Sequence, residues 1–261
     1  MNDDAKKMLW WGIPVVVAAG LIAALYYGRK QREEAPVTQE ASQAPMTTAP
    51  AQAADHPIEP PASDAPALPG LAQSDAALKD SISGVFGRSL DQFLVPKDIV
   101  RHIVATIDNL PRKKVAVQMW PLVPTGGAPA VDMQGDTVTL SKDNSARYAP
   151  IMAVVRNTDT RQLVAVYKHF YPLFQQAYTD LGYPDGYFNN RLVEVIDHLL
   201  ATPEIKGPIQ LTQPGVFYQF ADPALEERSA GQKLLIRMGS ENAAELKLKL
   251  REVRREITRA N

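Results

Sequence analysis

The stretch Asp159–Leu200, DTRQLVAVYKHFYPLFQQAYTDLGYPDGYFNNRLVEVIDHLL, decides the fold. Leu163, Val166, Tyr167, Phe170, Phe174, Tyr178 and Leu181 recur at helical spacing, so one face of a helix over 159–181 must be covered by other elements. Gly182 and Pro184 end it. Pro172 lies inside and removes one backbone donor, which predicts a kink or a division into two helices. A second helix follows from Tyr187 to Leu200, with Phe188, Leu192, Val195, Ile196 and Leu199 inward.

Working outward, helical patterns dominate. Ser74-Asp75 offers a cap for a helix to about Phe86, and Pro96 and Asp98 open another that ends at Pro111. Ala146–Arg156, about 224–238 and Ser240–Ala260 are further helices, the last two divided by Gly239 with Ser240 as a cap. Strands come as short pieces. Val115, Val117 and Met119 alternate with polar or small residues; Gly135-Asp136 joins Val131/Met133 to Val138/Leu140; and Pro214-Gly215 joins Ile209/Leu211 to Val216/Tyr218/Phe220. The expected class is α+β, a mostly helical single globular domain over 71–261 with two small β-hairpins.

The N-terminal side reads differently. After a short tail, 1–8, residues 9–27 (LWWGIPVVVAAGLIAALYY) carry no charge over 19 positions. A helix of that length rises about 29 Å, enough to cross a bilayer core, and aromatic pairs stand at both of its ends. The expectation is one transmembrane helix. Lys6 and Lys7 before it nearly balance Arg29, Lys30 and Arg32 after it, so charge alone does not orient it. Residues 28–70 form a Pro/Ala-rich linker; within 35–70, eight of 36 residues are Pro, ten are Ala and none is aromatic, which predicts disorder. Anchor and spacer together suggest a single-pass membrane protein with the globular domain in the periplasm.

Composition narrows the chemistry. The 261 residues include no Cys and four His, with a net charge of −1, which excludes disulfide frameworks, thiolate metal sites and a global field for nucleic acid. No nucleophile elbow, P-loop, dinucleotide fingerprint or HExxH motif is present, so no catalytic residue, metal ligand or cofactor is assigned. Glu194 and His198 share a helix face, a weak acid–base or ligand pair whose plainer reading is a surface pair. Five of the nine tyrosines fall in 167–191, among amides, which is what a groove for peptide or glycan would use. From this segment Asp185, Tyr187, Asn189, Asn190 and Arg191 are binding candidates. Arg147 and Tyr148, beside a possible cap at Asp143, form a second set. Leu246, Leu250, Val253 and Ile257 make a short seam for docking on the domain itself or for a homo-oligomer.

The segments LVPKDIVRHIVATIDNLPRKKVAV (94–117), RYAPIMAVV (147–155), YPLFQQAYTDLGYPDGYFNNRLVEVIDHLLATP (171–203) and SAGQKLLIRMGSENAAELKLKLREVR (229–254) resemble a Gram-negative bacterial family known as a domain of unknown function, family number 3014. The resemblance spans most of 70–258 and implies a membrane-anchored envelope protein, with no activity or catalytic residue to carry over. Two functions therefore stand as expectations: a tethered, non-enzymatic binding or assembly domain that meets an envelope protein or glycan, or an enzyme acting on envelope glycan or peptide through carboxylates such as Asp185 or Glu194.

Overall fold

The computed structural model describes residues 54–59, 67–86, 96–113 and 128–259. The expected membrane run, the N-terminal tail, most of the linker and the strand at 115–119 lie outside the described residues. Among the described residues no helix is long and apolar enough to cross a membrane.

A 3-10 turn at Leu71–Gln73 leads into α1 (Asp75–Phe86). Ser74 is fully buried, and its hydroxyl donates back to the Leu71 carbonyl (2.8 Å) rather than capping α1. Helix α2 (Ile99–Asn109) is started by a neighbour. Asp98 takes the left-handed conformation (φ 54°), and the Asp75 carboxylate accepts the N–H groups of Asp98 and Ile99, each at 2.8 Å.

The hairpin at Gly135-Asp136 is present, with β1 (Val131–Gln134) paired antiparallel to β2 (Thr137–Leu140) and Gly135 at φ 58°. A 3-10 segment, Lys142–Tyr148, precedes α3 (Ala149–Asn157), so the single helix expected over 146–156 is two pieces. Ser141, not Asp143, caps the first of them by accepting the Asp143 N–H (3.4 Å).

Helix α4 (Thr160–Asp180) runs as one helix through Pro172, so of the two expected alternatives the division into two helices does not occur. Pro172 faces solvent while Phe170, Leu173, Phe174, Ala177 and Tyr178 are buried, so packing on the opposite face holds the helix across the missing donor. Asp159 caps it, accepting the N–H of Arg161 (2.8 Å) and Gln162 (3.0 Å). Leu181, expected inward, is 40 % exposed because it falls at the helix end. Helix α5 (Phe188–Leu200) follows as expected.

Strands β3 (Gln210–Thr212) and β4 (Gln219–Phe220) form the second hairpin. The two hairpins are not separate: Val138 pairs with Leu211 and Thr139 with Gln210, giving one antiparallel sheet in the order β1-β2-β3-β4. The chain closes with α6 (Pro223–Glu226), α7 (Ala230–Arg237) and α8 (Ser240–Ile257). Gly239 (φ 90°) takes the position before α8, and the Ser240 side chain does not cap it.

Residues 50–261 form one compact unit, α+β and mostly helical. The main core joins Leu78, Ile99, Val104, Phe170, Phe174 and Phe188 from α1, α2, α4 and α5. Helix α8 docks on its own domain: Leu246 and Leu250 pack on Met152, Val195 and Leu235, and Ile257 joins Val164, Val193 and Ile196. Of the seam residues Ile257 is buried, while Leu246, Leu250 and Val253 are half-buried. A fourth cluster, Leu211, Phe220, Leu225 and Ile236, fastens the sheet beside the start of α8.

One part of the linker reading changes. Leu68 packs on the main core, so the domain begins before residue 71. Residues 54–59 also lie against the domain, with Ala54, His56 and Ile58 half-buried in alternation with exposed neighbours. The chain bends at Asp55 and His56, and the His56 main chain bonds to α5 as described next.

Candidate functional site

The seven sequence candidates divide into three places. Asn189 is fully buried. Its Oδ1 accepts the Tyr167 hydroxyl (3.0 Å), while its Nδ2 donates to the carbonyls of His56 (2.8 Å) and Ile257 (3.2 Å). It thus ties α4, the end of α8 and the linker together. Asn190 is half-buried, and its Oδ1 accepts the His56 N–H (3.1 Å). Tyr187, 40 % exposed, and the exposed Asp185 lie on the turn that enters α5.

Arg191 points elsewhere. Its Nε donates to Asp108 Oδ1 (3.0 Å), another of its guanidinium nitrogens to the Asp108 carbonyl (2.8 Å), and a third pairs with Glu194 (2.9 Å). Asp108, only 2 % exposed, also takes Arg112 (2.8 Å) and the Tyr183 hydroxyl (3.3 Å). Burial works against the Arg191 charge, but the Glu194 hydrogen bond and the charges of Glu194 and Asp108 hold its pKa above the usual value. Burial, reinforced by the Asp108 charge, pushes the nearby Tyr178 hydroxyl up to about 12. This network joins α2 to α5 and commits Arg191 to the fold.

Arg147 and Tyr148 sit away from 185–191. Arg147 donates to Asn144 Oδ1 (3.1 Å), and Asn144, nearly fully buried, bonds the Ala130 N–H (3.1 Å) and the Arg237 carbonyl (2.7 Å). Tyr148 is core, with burial first among the causes that raise its hydroxyl pKa. The Glu194–His198 pair is also structural, since Glu194 holds Arg191 and His198 Nε2 bonds the Ser229 hydroxyl (2.8 Å). Among the described residues no group of His, Asp and Glu is placed to hold a metal ion.

A cleft of about 770 Å³ lies between the end of β2, the loop 202–209, α7 and the start of α8. Two of its polar side chains are tied back to the fold: Lys247 donates to the Thr202 carbonyl, and Arg237 donates to the Tyr218 carbonyl (3.4 Å) while its guanidinium lies 4.7 Å above the Phe220 ring. The sheet beside it carries a different feature. Cross-strand partners share a face, and the pairings Met133–Val138, Val138–Leu211 and Leu211–Phe220 align one apolar row across all four strands. The row begins at Phe220, 3 % exposed, and ends at Met133, 71 % exposed.

Both hairpin turns lie at the same end of the sheet, because β3 runs antiparallel to β2. The second turn places Val216 and Phe217, 72 % and 78 % exposed, at that end too. Sequence reading assigned Met133 and Val216 to strands and passed over Phe217. The available signal was an apolar pair directly after a Pro-Gly turn, where polar residues are usual.

The fold and this surface define an α+β domain that leaves an apolar sheet row unfinished at its edge. The chain belongs to the family described as a protein of unknown function, DUF3014, which matches residues 99–254 and so covers more than half of it. The match takes in the sheet, Asp108 and Asn189–Arg191, and begins after α1 and the docked linker segment. No curated protein and no solved structure matches the chain.

Proposed function

We propose that this chain is a single-pass protein of the bacterial inner membrane that presents a non-enzymatic binding domain to the periplasm, and that the hairpin end of the sheet is its docking surface. The uncharged run 9–27 and the Pro/Ala-rich residues beyond it support the anchor and spacer. The observation that carries the docking surface is the apolar row that surfaces at Met133, together with Val216 and Phe217 at the same end. Three large side chains so exposed leave apolar area that a partner would cover. The hairpin segments 129–140 and 209–221 contain Asp132 and Asp136 and no Lys or Arg. The fitting partner is therefore a protein with an apolar pocket rimmed by basic residues, whereas anionic lipid is repelled.

The non-enzymatic reading is supported by where the nominated groups go. Glu194 is paired with Arg191, and the described carboxylates with shifted pKa values, Asp159, Glu226 and Glu252, all shift downward. A general acid needs the opposite shift.

A photo-crosslinking amino acid at position 217 of the full chain, in cells, tests the surface against the same probe at Leu248, which is 60 % exposed on α8. A discrete protein adduct at 217 that is absent at 248 and lost with Met133→Ser is expected. Equal labelling at both positions, or adducts with lipid alone, overturns the docking surface. A reporter fused after Asn261 and active on only the cytoplasmic side overturns the periplasmic assignment.

A further inference from the structure

Helix α8 covers the domain with one face and leaves the other in solvent. Its exposed positions are Ser240, Glu241, Ala244, Leu248, Arg251 and Arg255. From Glu241 onward they are spaced 3, 4, 3 and 4, so they form one stripe along the helix, and exposed Arg259 follows just past its end. The stripe is divided by charge. Its acid, Glu241, stands in the first turn, Leu248 is 60 % exposed in the middle, and the rest is arginine.

Glu252 and Glu256, the acids of this half of α8, are both engaged. Glu252 takes the Thr160 hydroxyl (2.7 Å) and the Lys249 ammonium (3.0 Å), and Glu256 lies 3.9 Å from Arg259. On the facing helix Asp197 is held by Arg254 (2.6 and 2.9 Å). Among the described residues Arg251 and Arg255 make no hydrogen bond or ion pair. The helix dipole favours bases in the last turn and so accounts for Arg255, but it does not reach Arg251, a turn earlier.

The place of the stripe points to its partner. Asn189 Nδ2 donates to the carbonyls of both His56 and Ile257, so the chain arriving from the N-terminal side meets the domain at the last turn of α8, which also carries Arg255. Residues 28–53 separate the uncharged run 9–27 from that segment, and 26 residues span at most about 90 Å. An exposed leucine followed by unpaired arginines on one helix face suits phosphate headgroups, with the aliphatic chain at the acyl boundary.

We infer that the stripe Leu248, Arg251, Arg255 and Arg259 docks the domain on the anionic phospholipid surface of the membrane that its own anchor enters. The target rests on the anchor proposed above, and the affinity on the charge of the stripe. The tether keeps the domain close to that surface, so a modest attraction per charge is enough. The acidic hairpin segments form a separate surface and take no part in it.

The test reconstitutes the full chain in vesicles. The chain has no cysteine, so Leu248→Cys accepts a single environment-sensitive fluorophore, read by its quenching from lipids spin-labelled near the headgroup. Flotation with phosphatidylcholine vesicles at about 1 M salt reports the anchor alone, because surface charge is screened there. A chain that does not float overturns the anchor and the inference with it. For a chain that floats, quenching should be strong in vesicles that include phosphatidylglycerol, and should fall away in phosphatidylcholine alone or at about 1 M salt. Arg251→Gln, Arg255→Gln and Arg259→Gln together should lower the docked-to-free ratio about 100-fold, at roughly fivefold per charge. The melting temperature should stay within about 2 °C, as for exposed positions. If the change at Arg259 disturbs the helix end, Arg251→Gln with Arg255→Gln should still give a fall of about 20-fold. Equal quenching in the two lipids, or indifference to the arginine changes, overturns the inference and leaves the anchor standing. A reporter that answers poly-glutamate and ignores phosphatidylglycerol also overturns it, assigning the stripe to an acidic protein.

Discussion

Arg191 and Arg112 meet the same carboxylate from different environments. Asp108 is 2 % exposed, the Arg191 side chain 18 % and the Arg112 side chain 56 %. Removing Arg191 deletes two hydrogen bonds to Asp108, one to its side chain and one to its carbonyl, and leaves a buried carboxylate with less compensation. Arg191→Ala should therefore cost about 2–4 kcal/mol, whereas Arg112→Ala, which removes a mostly solvated partner and leaves Arg191 on the carboxylate, should cost about 1 kcal/mol or less. Urea unfolding of both variants checks the order; equal costs, or a loss under about 1 kcal/mol for Arg191, would show that Asp108 is held by other groups. The sequence marked Arg191 as unusual but not as structural. Its partner lies 83 residues away, and no local spacing reports such a pairing. Asn189 repeats the lesson, since the same residue type in the first turn of a helix suits a free surface or a buried junction, and only the arrival of α8 and His56 decides between them.

Elements were more legible than their junctions. Periodicity located α1, α2, α4, α5 and both hairpins, because each depends on local spacing. The joining of the hairpins into one sheet was not legible, since alternation reports which face is apolar and not which strand lies beside it. Close approach between helices is equally invisible until the chain folds. The N–H of Gly231, at the start of α7, donates to the Leu110 carbonyl (3.0 Å), and an added Cβ there would lie 2.6 Å from Leu199 Cδ2 and 3.2 Å from the Leu110 oxygen. Gly84, at an exposed position of α1, has nothing within 4 Å of an added Cβ. The same substitution should then act with opposite sign. Gly231→Ala should destabilise by about 1–3 kcal/mol through overpacking, and Gly84→Ala should stabilise by about 0.5–1 kcal/mol through backbone entropy. Thermal melts of the two variants decide it, and a stable Gly231→Ala would mean that α7 slides from α2 at little cost.

At the scale of the molecule, α8 sets two poles. Its first turn lies by the sheet, where Asn242 bonds the Ser145 carbonyl (3.1 Å), and its last turn meets Asn189 and the docked linker. Eighteen helical residues place these poles about 27 Å apart, so the docked linker segment and the chain after β2 at Ser145 meet opposite ends of α8. Composition alone predicts that a fragment beginning at residue 71 melts like one that keeps the linker. The contacts predict otherwise. Losing 54–70 removes Leu68 from the main core, the Gly70 carbonyl that accepts the Gln73 N–H (2.9 Å), and the His56 carbonyl on a fully buried asparagine. The summed loss should be about 2 kcal/mol, near 4–8 °C in melting temperature for a domain of this size. Fragments 54–261 and 71–261 compared by calorimetry test this, with 67–261 between them to separate Leu68 from residues 54–59. Most of the drop should fall between 67 and 71, because Leu68 packs on the main core while residues 54–59 are at most half-buried. Melting of all three within about 1 °C would return the whole of 54–70 to an inert spacer.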